Sequence, residues 1–124
     1  MAQADAATDE TELAPERAAE LARDGQGQLV DVRLAAEHEA GHIAGAEHAP
    51  LADLDAEADR FDRERPVIFY CRSGERSGMA AAAFRASGWD AYNVSGGLLA
   101  WAAQGLPLEP EDGEVAARPN LPGA

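Results

Sequence analysis

The feature that most constrains the fold of this chain is a short run of apolar residues, Val67–Tyr70, which Cys71 follows at once. A strand that is apolar at every position needs helices over both of its faces, as in a parallel sheet. The polar, glycine-containing segment Arg72–Ser77 comes next, and a helical pattern extends over 76–87. The run therefore predicts a strand–loop–helix unit with Cys71 at the carboxyl end of the strand, where open α/β sheets place their binding crevice.

The rest of the chain alternates between helical and extended patterns. The predicted helices cover 15–23, 34–39, 53–59, 76–87 and 98–103, and the predicted strands cover 29–32, 67–70 and 91–94. In the helix over 76–87, the apolar pattern predicts a buried face made of Met79, Ala80, Ala83, Phe84 and Ala86. This alternation in a short chain predicts an α/β sandwich with a mostly parallel sheet and right-handed crossovers.

The length of 124 residues fits one domain. Residues 1–10 are small, polar and acidic, which predicts a disordered segment; residues 11–108 form the predicted domain, and 109–124 a Pro/Gly-rich acidic tail. The first residues lack the pattern of a secretory signal, and no stretch approaches the ~20 apolar residues that span a bilayer. Together with a single cysteine, this predicts a cytoplasmic protein with a free thiol.

The charge is strongly acidic, at −13, with 23 acidic and 10 basic residues. Such a field repels phosphate backbones and anionic lipids. We therefore expect neither nucleic acid nor a membrane as a partner, and we interpret most of the acidic residues as a solvated surface.

Cys71 is the residue on which a chemical function rests. A short loop that leads into a helix points backbone N–H groups inward and adds the positive end of the helix dipole. Such an anion nest favours the thiolate form of a cysteine. Arg72 and Arg76 are expected to add positive charge at the rim, which Glu75 partly offsets. The alternative, an inert buried cysteine, does not explain the polar run after it.

Three segments resemble the motifs of the single-domain rhodanese-like family of thiosulfate sulfurtransferases, in the order in which the family has them. The first is Leu29–Arg33 with Glu37 and Gly41–Ala46, the second Val67–Ser77, and the third Val94–Trp101 with Gly105–Pro107. The resemblance implies a three-layer α/β/α sandwich with a five-stranded, mostly parallel sheet. It also implies that Cys71 is the nucleophile. The loop residues that would cradle the transferred sulfur are Arg72, Ser73, Gly74, Glu75, Arg76 and Ser77. The residues that would support the site are Asp31, Arg33 and His42.

The reaction implied by this resemblance needs no metal and no cofactor. The thiolate attacks the outer sulfur of thiosulfate or of a persulfide donor, a persulfide forms on Cys71, and a thiol or cyanide acceptor removes the sulfur. Ser73 and Ser77 either donate hydrogen bonds to the bound anion or serve the turn and the helix start.

Two other functions remain open at this point. A sulfur-relay module that passes sulfur between protein partners would have the same site residues. A cysteine-dependent phosphatase or arsenate reductase is less favoured, because such phosphatases use Cys-x5-Arg and usually have histidine before the cysteine. Here the spacing from Cys71 to Arg76 is Cys-x4-Arg, and Tyr70 precedes the cysteine.

The histidines and their neighbours carry weaker expectations. Arg33 and Glu37 are four residues apart and would pair on a helix. His38 and His48 are expected to face solvent. His38 and His42 would resemble a metal-binding pair only on a helix, which Gly41 disfavours.

Overall fold

The computed structural model describes residues 11–118, and the predicted disordered segment 1–10 lies outside them. Five strands form one sheet in the order β1-β5-β4-β2-β3, and all of its pairs are parallel. The strands are β1 Glu12–Leu13, β2 Gln28–Asp31, β3 Glu47–His48, β4 Val67–Tyr70 and β5 Ala91–Val94. The parallel α/β sandwich predicted from the sequence is therefore confirmed.

Residues 11–118 contain five α-helices, of which the first four lie between strands and the fifth follows β5. They are α1 Pro15–Arg23, α2 Ala35–Ala40, α3 Leu54–Glu57, α4 Glu75–Ala86 and α5 Gly97–Ala103. The helix predicted over 53–59 is a single α-turn, α3, between two short 3₁₀ turns. Within residues 11–118, no helix is both long enough and apolar enough to span a membrane.

The central strand β4 divides the core into two apolar layers. Its four residues are fully buried, and alternate side chains point to opposite faces. Phe69 packs with Phe84 of α4 on one face, and Tyr70 packs in the cluster of Leu98 and Trp101 on the other. Cover on both faces explains why the strand is apolar throughout.

The buried face of α4 differs from the predicted one. Met79 is 60% exposed, and Ala83 and Ala86 are also exposed. The buried residues are Arg76, Ser77, Ala80, Ala81 and Phe84. The reason is that the first turn of the helix buries two polar side chains that have partners in the protein interior, and these fix which face points inward.

The segment 109–118, which follows the predicted domain, has no helix but is attached to the loop after α2. Glu109 and His42 exchange backbone hydrogen bonds of 2.7 and 2.9 Å, and the Glu114 N–H donates to the Ala40 carbonyl at 2.9 Å. A Cβ on Gly41 would lie 2.3 Å from the Glu114 carbonyl oxygen. Gly41 therefore permits the close approach of this segment.

Candidate active site

Cys71 lies at the carboxyl end of β4 and is fully buried. Its Sγ accepts hydrogen bonds from the backbone N–H groups of Gly74 at 3.1 Å and Ser77 at 3.4 Å. The Ser77 hydroxyl lies 3.2 Å from the same sulfur. Three hydrogen-bond donors from the loop and the first turn of α4 therefore surround the sulfur, a geometry that stabilises negative charge on it.

Two carbonyl groups at the start of the loop are hydrogen-bonded by the first turn of α5. The Leu98 N–H donates to the Cys71 carbonyl at 2.8 Å, and the Leu99 N–H donates to the Arg72 carbonyl at 3.0 Å. Gly97 has a φ of +62°, and a Cβ there would lie 2.5 Å from the Arg72 carbonyl oxygen. Glycine is therefore required where α5 begins, because its backbone must approach the loop closely.

Arg76 does not lie at the rim, so the sequence prediction for its guanidinium is wrong. It is 4% exposed, and it donates to both oxygens of the buried Glu37 carboxylate, at 2.8 and 2.9 Å. These hydrogen bonds raise the pKa of Arg76 above its ordinary value. Burial alone would raise the pKa of Glu37, but the hydrogen bonds from Arg76 lower it overall, so both groups stay ionised as a pair.

Arg33 and Asp31 form a second buried ion pair. Asp31 is the last residue of β2, and Arg33 lies in the loop that follows it. The Arg33 guanidinium donates to both carboxylate oxygens of Asp31, at 2.9 and 2.7 Å, and to the Gly41 carbonyl at 2.8 Å. Although burial acts to raise the pKa of Asp31, the hydrogen bonds from Arg33 and His38 lower it. The predicted pairing of Arg33 with Glu37 is wrong because α2 begins only at Ala35, so the helical spacing does not include Arg33.

The three histidines stack on one another, so the prediction that His38 and His48 face solvent is wrong. The His38 ring lies between His42, with ring centroids 3.8 Å apart, and His48, at 4.4 Å. Its Nδ1–H donates to Asp31 at 2.8 Å, and the His42 Nδ1–H donates to the His38 carbonyl at 2.7 Å. In the described part of the chain, no group of three or more histidine, cysteine or acidic side chains is arranged to hold a metal ion.

The remaining loop side chains lie nearer the surface. Arg72 is half-buried, and its Nε atom is buried without a hydrogen-bond partner among the described residues. The Ser73 hydroxyl donates to the Glu75 carboxylate, which lowers the pKa of Glu75. Of the two candidate serines, Ser77 contacts the sulfur and Ser73 contacts Glu75.

Sequence reasoning missed two residues that are linked to the sulfur through the Ser77 hydroxyl, Asn93 and Glu12. The Ser77 Oγ lies 2.5 Å from the Asn93 Oδ1, and the Asn93 Nδ2 donates to the Glu12 carboxylate at 3.0 and 3.2 Å. Asn93 is the one polar position in the predicted strand at 91–94 that is buried, and β5 lies beside β4. The sequence signal for Asn93 was an amide side chain in an otherwise buried strand. Such a group needs hydrogen-bond partners, and here they lie beside the strand that bears Cys71.

Comparison with known protein families gives one match over most of the chain. Residues 14–104 match the model of the rhodanese-like domain. A sulfurtransferase of Allochromatium vinosum is 37% identical over 86 residues, which cover 68% of this chain and 80% of that protein. Thiosulfate sulfurtransferase GlpE of Actinobacillus succinogenes is 35% identical over 100 residues, covering 80% of this chain and 90% of GlpE. YqhL of Bacillus subtilis is 40% identical over 77 residues, and the match spans 61% of each chain.

Solved structures show the same fold. A rhodanese-related protein from Thermoplasma volcanium superposes with a TM-score of 0.73 at 24% identity, covering 78% of this chain and 95% of that one. The rhodanese-like domain of an Anabaena protein gives a TM-score of 0.73 at 26% identity, covering 91% of this chain and 86% of that one. The family match at residues 14–104 includes Cys71 and the loop that follows it.

Proposed function

The chain belongs to the rhodanese-like family of sulfurtransferases, and on that premise we propose that Cys71 carries a sulfur atom, as a persulfide, from a donor to an acceptor. One observation carries this proposal: the N–H groups of Gly74 and Ser77 and the Ser77 hydroxyl surround the Cys71 Sγ. A sulfur atom held by such donors can bear negative charge before and after transfer.

The proposed donors are thiosulfate and low-molecular-weight persulfides. The Cys71 thiolate attacks the outer sulfur of thiosulfate, the S–S bond of the donor breaks, and sulfite leaves with the bonding electron pair. The product is a Cys71 persulfide whose terminal sulfur carries the negative charge. The same backbone N–H groups and the start of α4 would stabilise that charge.

The proposed acceptors are thiols and cyanide. An acceptor thiolate attacks the terminal sulfur, a new S–S bond forms, and the Cys71 thiolate leaves. Cyanide forms a C–S bond instead and departs as thiocyanate. No general base is needed in either half if Cys71 is ionised beforehand, and no histidine hydrogen bond to Sγ occurs among the described residues.

In this proposal Arg72 binds the negative charge of the sulfur donor, since the charge of the Arg76 guanidinium is neutralised by Glu37. Arg72 follows Cys71 directly and is half-buried, so part of its side chain is exposed beside the loop. A guanidinium in that place suits a sulfonate or carboxylate of an incoming donor molecule. We also propose a cytoplasmic location, because a reducing compartment keeps a lone thiol free.

Intact-mass spectrometry tests the proposal. Incubation with thiosulfate should add the mass of one sulfur atom, and a Cys71→Ala variant should gain nothing. Ser87→Ala is the matched control, because Ser87 is exposed at the C-terminal end of α4, outside the loop, and it should load like the native chain. A folded protein with a free thiol that gains no sulfur from thiosulfate or from glutathione persulfide would overturn the proposal. Loading from a persulfidated protein donor alone would identify the chain as a relay module.

A further inference from the structure

Ser77 has one hydroxyl proton but two acceptors within reach. Its Oγ lies 3.2 Å from Cys71 Sγ and 2.5 Å from Asn93 Oδ1. A hydroxyl group donates to one acceptor at a time while its lone pairs accept from others. The two acceptors therefore compete for the same proton.

The orientation of the Asn93 side chain is determined by Glu12. An ionised carboxylate only accepts hydrogen bonds, so the Asn93 Nδ2 must face Glu12, at 3.0 and 3.2 Å, and its Oδ1 must face Ser77. Nδ2 also donates to the Gly74 carbonyl at 3.2 Å. Asn93 is 4% exposed, so water does not supply an alternative partner readily.

We propose that Asn93 is a positioning residue that sets the balance between the thiol, thiolate and persulfide states of Cys71 by competing for the Ser77 proton. When the inner sulfur carries no charge, as in the thiol and the persulfide, Ser77 donates to Asn93. When the inner sulfur is a thiolate, Ser77 turns and donates to it. This competition weakens the stabilisation of the Cys71 thiolate and so favours the state in which Cys71 carries a persulfide. This inference rests on the proposed role of Cys71.

The second contact of Asn93 does not account for the same effect. The Gly74 carbonyl also accepts the Gly78 N–H at 2.9 Å, the first hydrogen bond of α4. Loss of the Asn93 amide therefore leaves this carbonyl bonded and keeps the Gly74 N–H aimed at the sulfur. The route from Asn93 to Cys71 passes through the Ser77 hydroxyl.

The charged groups in and around the site come from the loop and from the segments packed against it. Arg72 lies in the loop, and Glu75, the first residue of α4, interacts with Arg118. Arg76 of α4 is paired with Glu37 of α2, and Glu12 lies on β1. Helix α5 has no titratable side chain. The variants below leave all of these charged groups in place. The Asn93→Asp control adds one carboxylate to them.

The test measures how fast iodoacetamide alkylates Cys71 as a function of pH. Asn93→Leu removes the acceptor and keeps the branched shape and the number of heavy atoms of the asparagine side chain. It should lower the pH of half-maximal rate by about one unit, as expected when one hydrogen bond is committed to the thiolate. Asn93→Asp loses the same Nδ2 bonds but keeps an acceptor for Ser77, and it should not lower that pH.

The Ser77→Ala background separates this role from simple packing. Without the hydroxyl, Asn93→Leu should leave the pH of half-maximal rate unchanged. A shift of equal size in both backgrounds, an upward shift with Ser77 present, or no shift at all would overturn the proposal. Circular dichroism checks that each variant folds. If Asn93→Leu does not fold, Asn93→Ala replaces it, and the same shift is expected. Alkylation needs no sulfur donor, so its result is independent of whether Cys71 accepts sulfur.

Discussion

Replacing Arg76 with alanine should destabilise the protein far more than an ordinary loss of a surface charge. The substitution leaves the Glu37 carboxylate, which is 1% exposed, without its two guanidinium hydrogen bonds and with only the Leu34 N–H at 3.2 Å. Two hydrogen bonds to charged groups, each worth about 1.5–3 kcal/mol, sum to about 3–6 kcal/mol. Removal of one partner of a buried ion pair typically costs about 3–5 kcal/mol, so we expect a loss of about that size in the free energy of unfolding. Urea denaturation followed by circular dichroism measures this loss.

The size of the loss should depend on pH in a defined direction. In the native chain the pKa of Glu37 lies below its ordinary value of 4.5, so the pair stabilises the fold above that pH and is lost as pH falls through the lowered value. In the Arg76→Ala variant the carboxylate is buried without its partner, and protonation relieves that cost. The difference between the two proteins should therefore be largest near neutral pH and shrink as the pH falls toward 4.5, where the variant's carboxyl protonates. It should shrink further below that value as the native pair is lost.

Two further variants make the comparison decisive. Arg17→Ala breaks an exposed ion pair with Glu20 on α1 and should change the unfolding free energy by less than about 0.5 kcal/mol. Combining Arg76→Met with Glu37→Leu should recover most of the loss, because no buried charge is left unpaired. A loss below about 1 kcal/mol for Arg76→Ala at neutral pH, or a difference that does not shrink on acidification, would refute the reasoning.

Three other predictions concern the surroundings of the site. Tyr70→Phe removes the hydroxyl that accepts the Ile43 N–H at 3.0 Å and should cost about 1–3 kcal/mol in urea denaturation; a change under about 0.5 kcal/mol contradicts this. Gly41→Ala should detach the segment 109–118 and speed hydrogen exchange at the Glu114 N–H about tenfold or more, whereas unchanged protection contradicts the close contact. Burial lowers the pKa of His38 below 6.5, so the free energy of unfolding should fall as the pH drops through that value. His38→Gln should reduce the loss of stability measured between about pH 7.5 and about pH 5.5. An equal loss in both proteins contradicts this.

The centre of the fold was predictable because its signals are local. The run Val67–Tyr70 is apolar at every position, and the structure has a strand with those bounds, fully buried. The strand over 91–94 also has the bounds that the sequence predicts, although it contains the polar Asn93. The outer strands β1 and β3 are only two residues long, and pairing with β5 and β2, not local composition, defines them.

The partners of buried charges were not predictable, because they lie far apart in the sequence. Glu37 and Arg76 are 39 positions apart, and Glu12 and Asn93 are 81 apart. Spacing rules for a single helix suggested Arg33 for Glu37, but Arg33 precedes the helix and bonds Asp31 two positions away. Which carboxylate meets which guanidinium depends on the tertiary structure, which brings Glu37 of α2 to Arg76 of α4 and which no local pattern encodes.

The shortness of the outer strands has a consequence for how copies of this protein meet. An exposed strand edge is a template on which another chain can add a strand, and long edges promote aggregation. Here each edge strand has two residues, and each includes a glutamate, Glu12 on β1 and Glu47 on β3. With a net charge of −13, approaching copies also repel one another. We therefore expect the open sheet that positions Cys71 to resist edge-to-edge association even at high protein concentration.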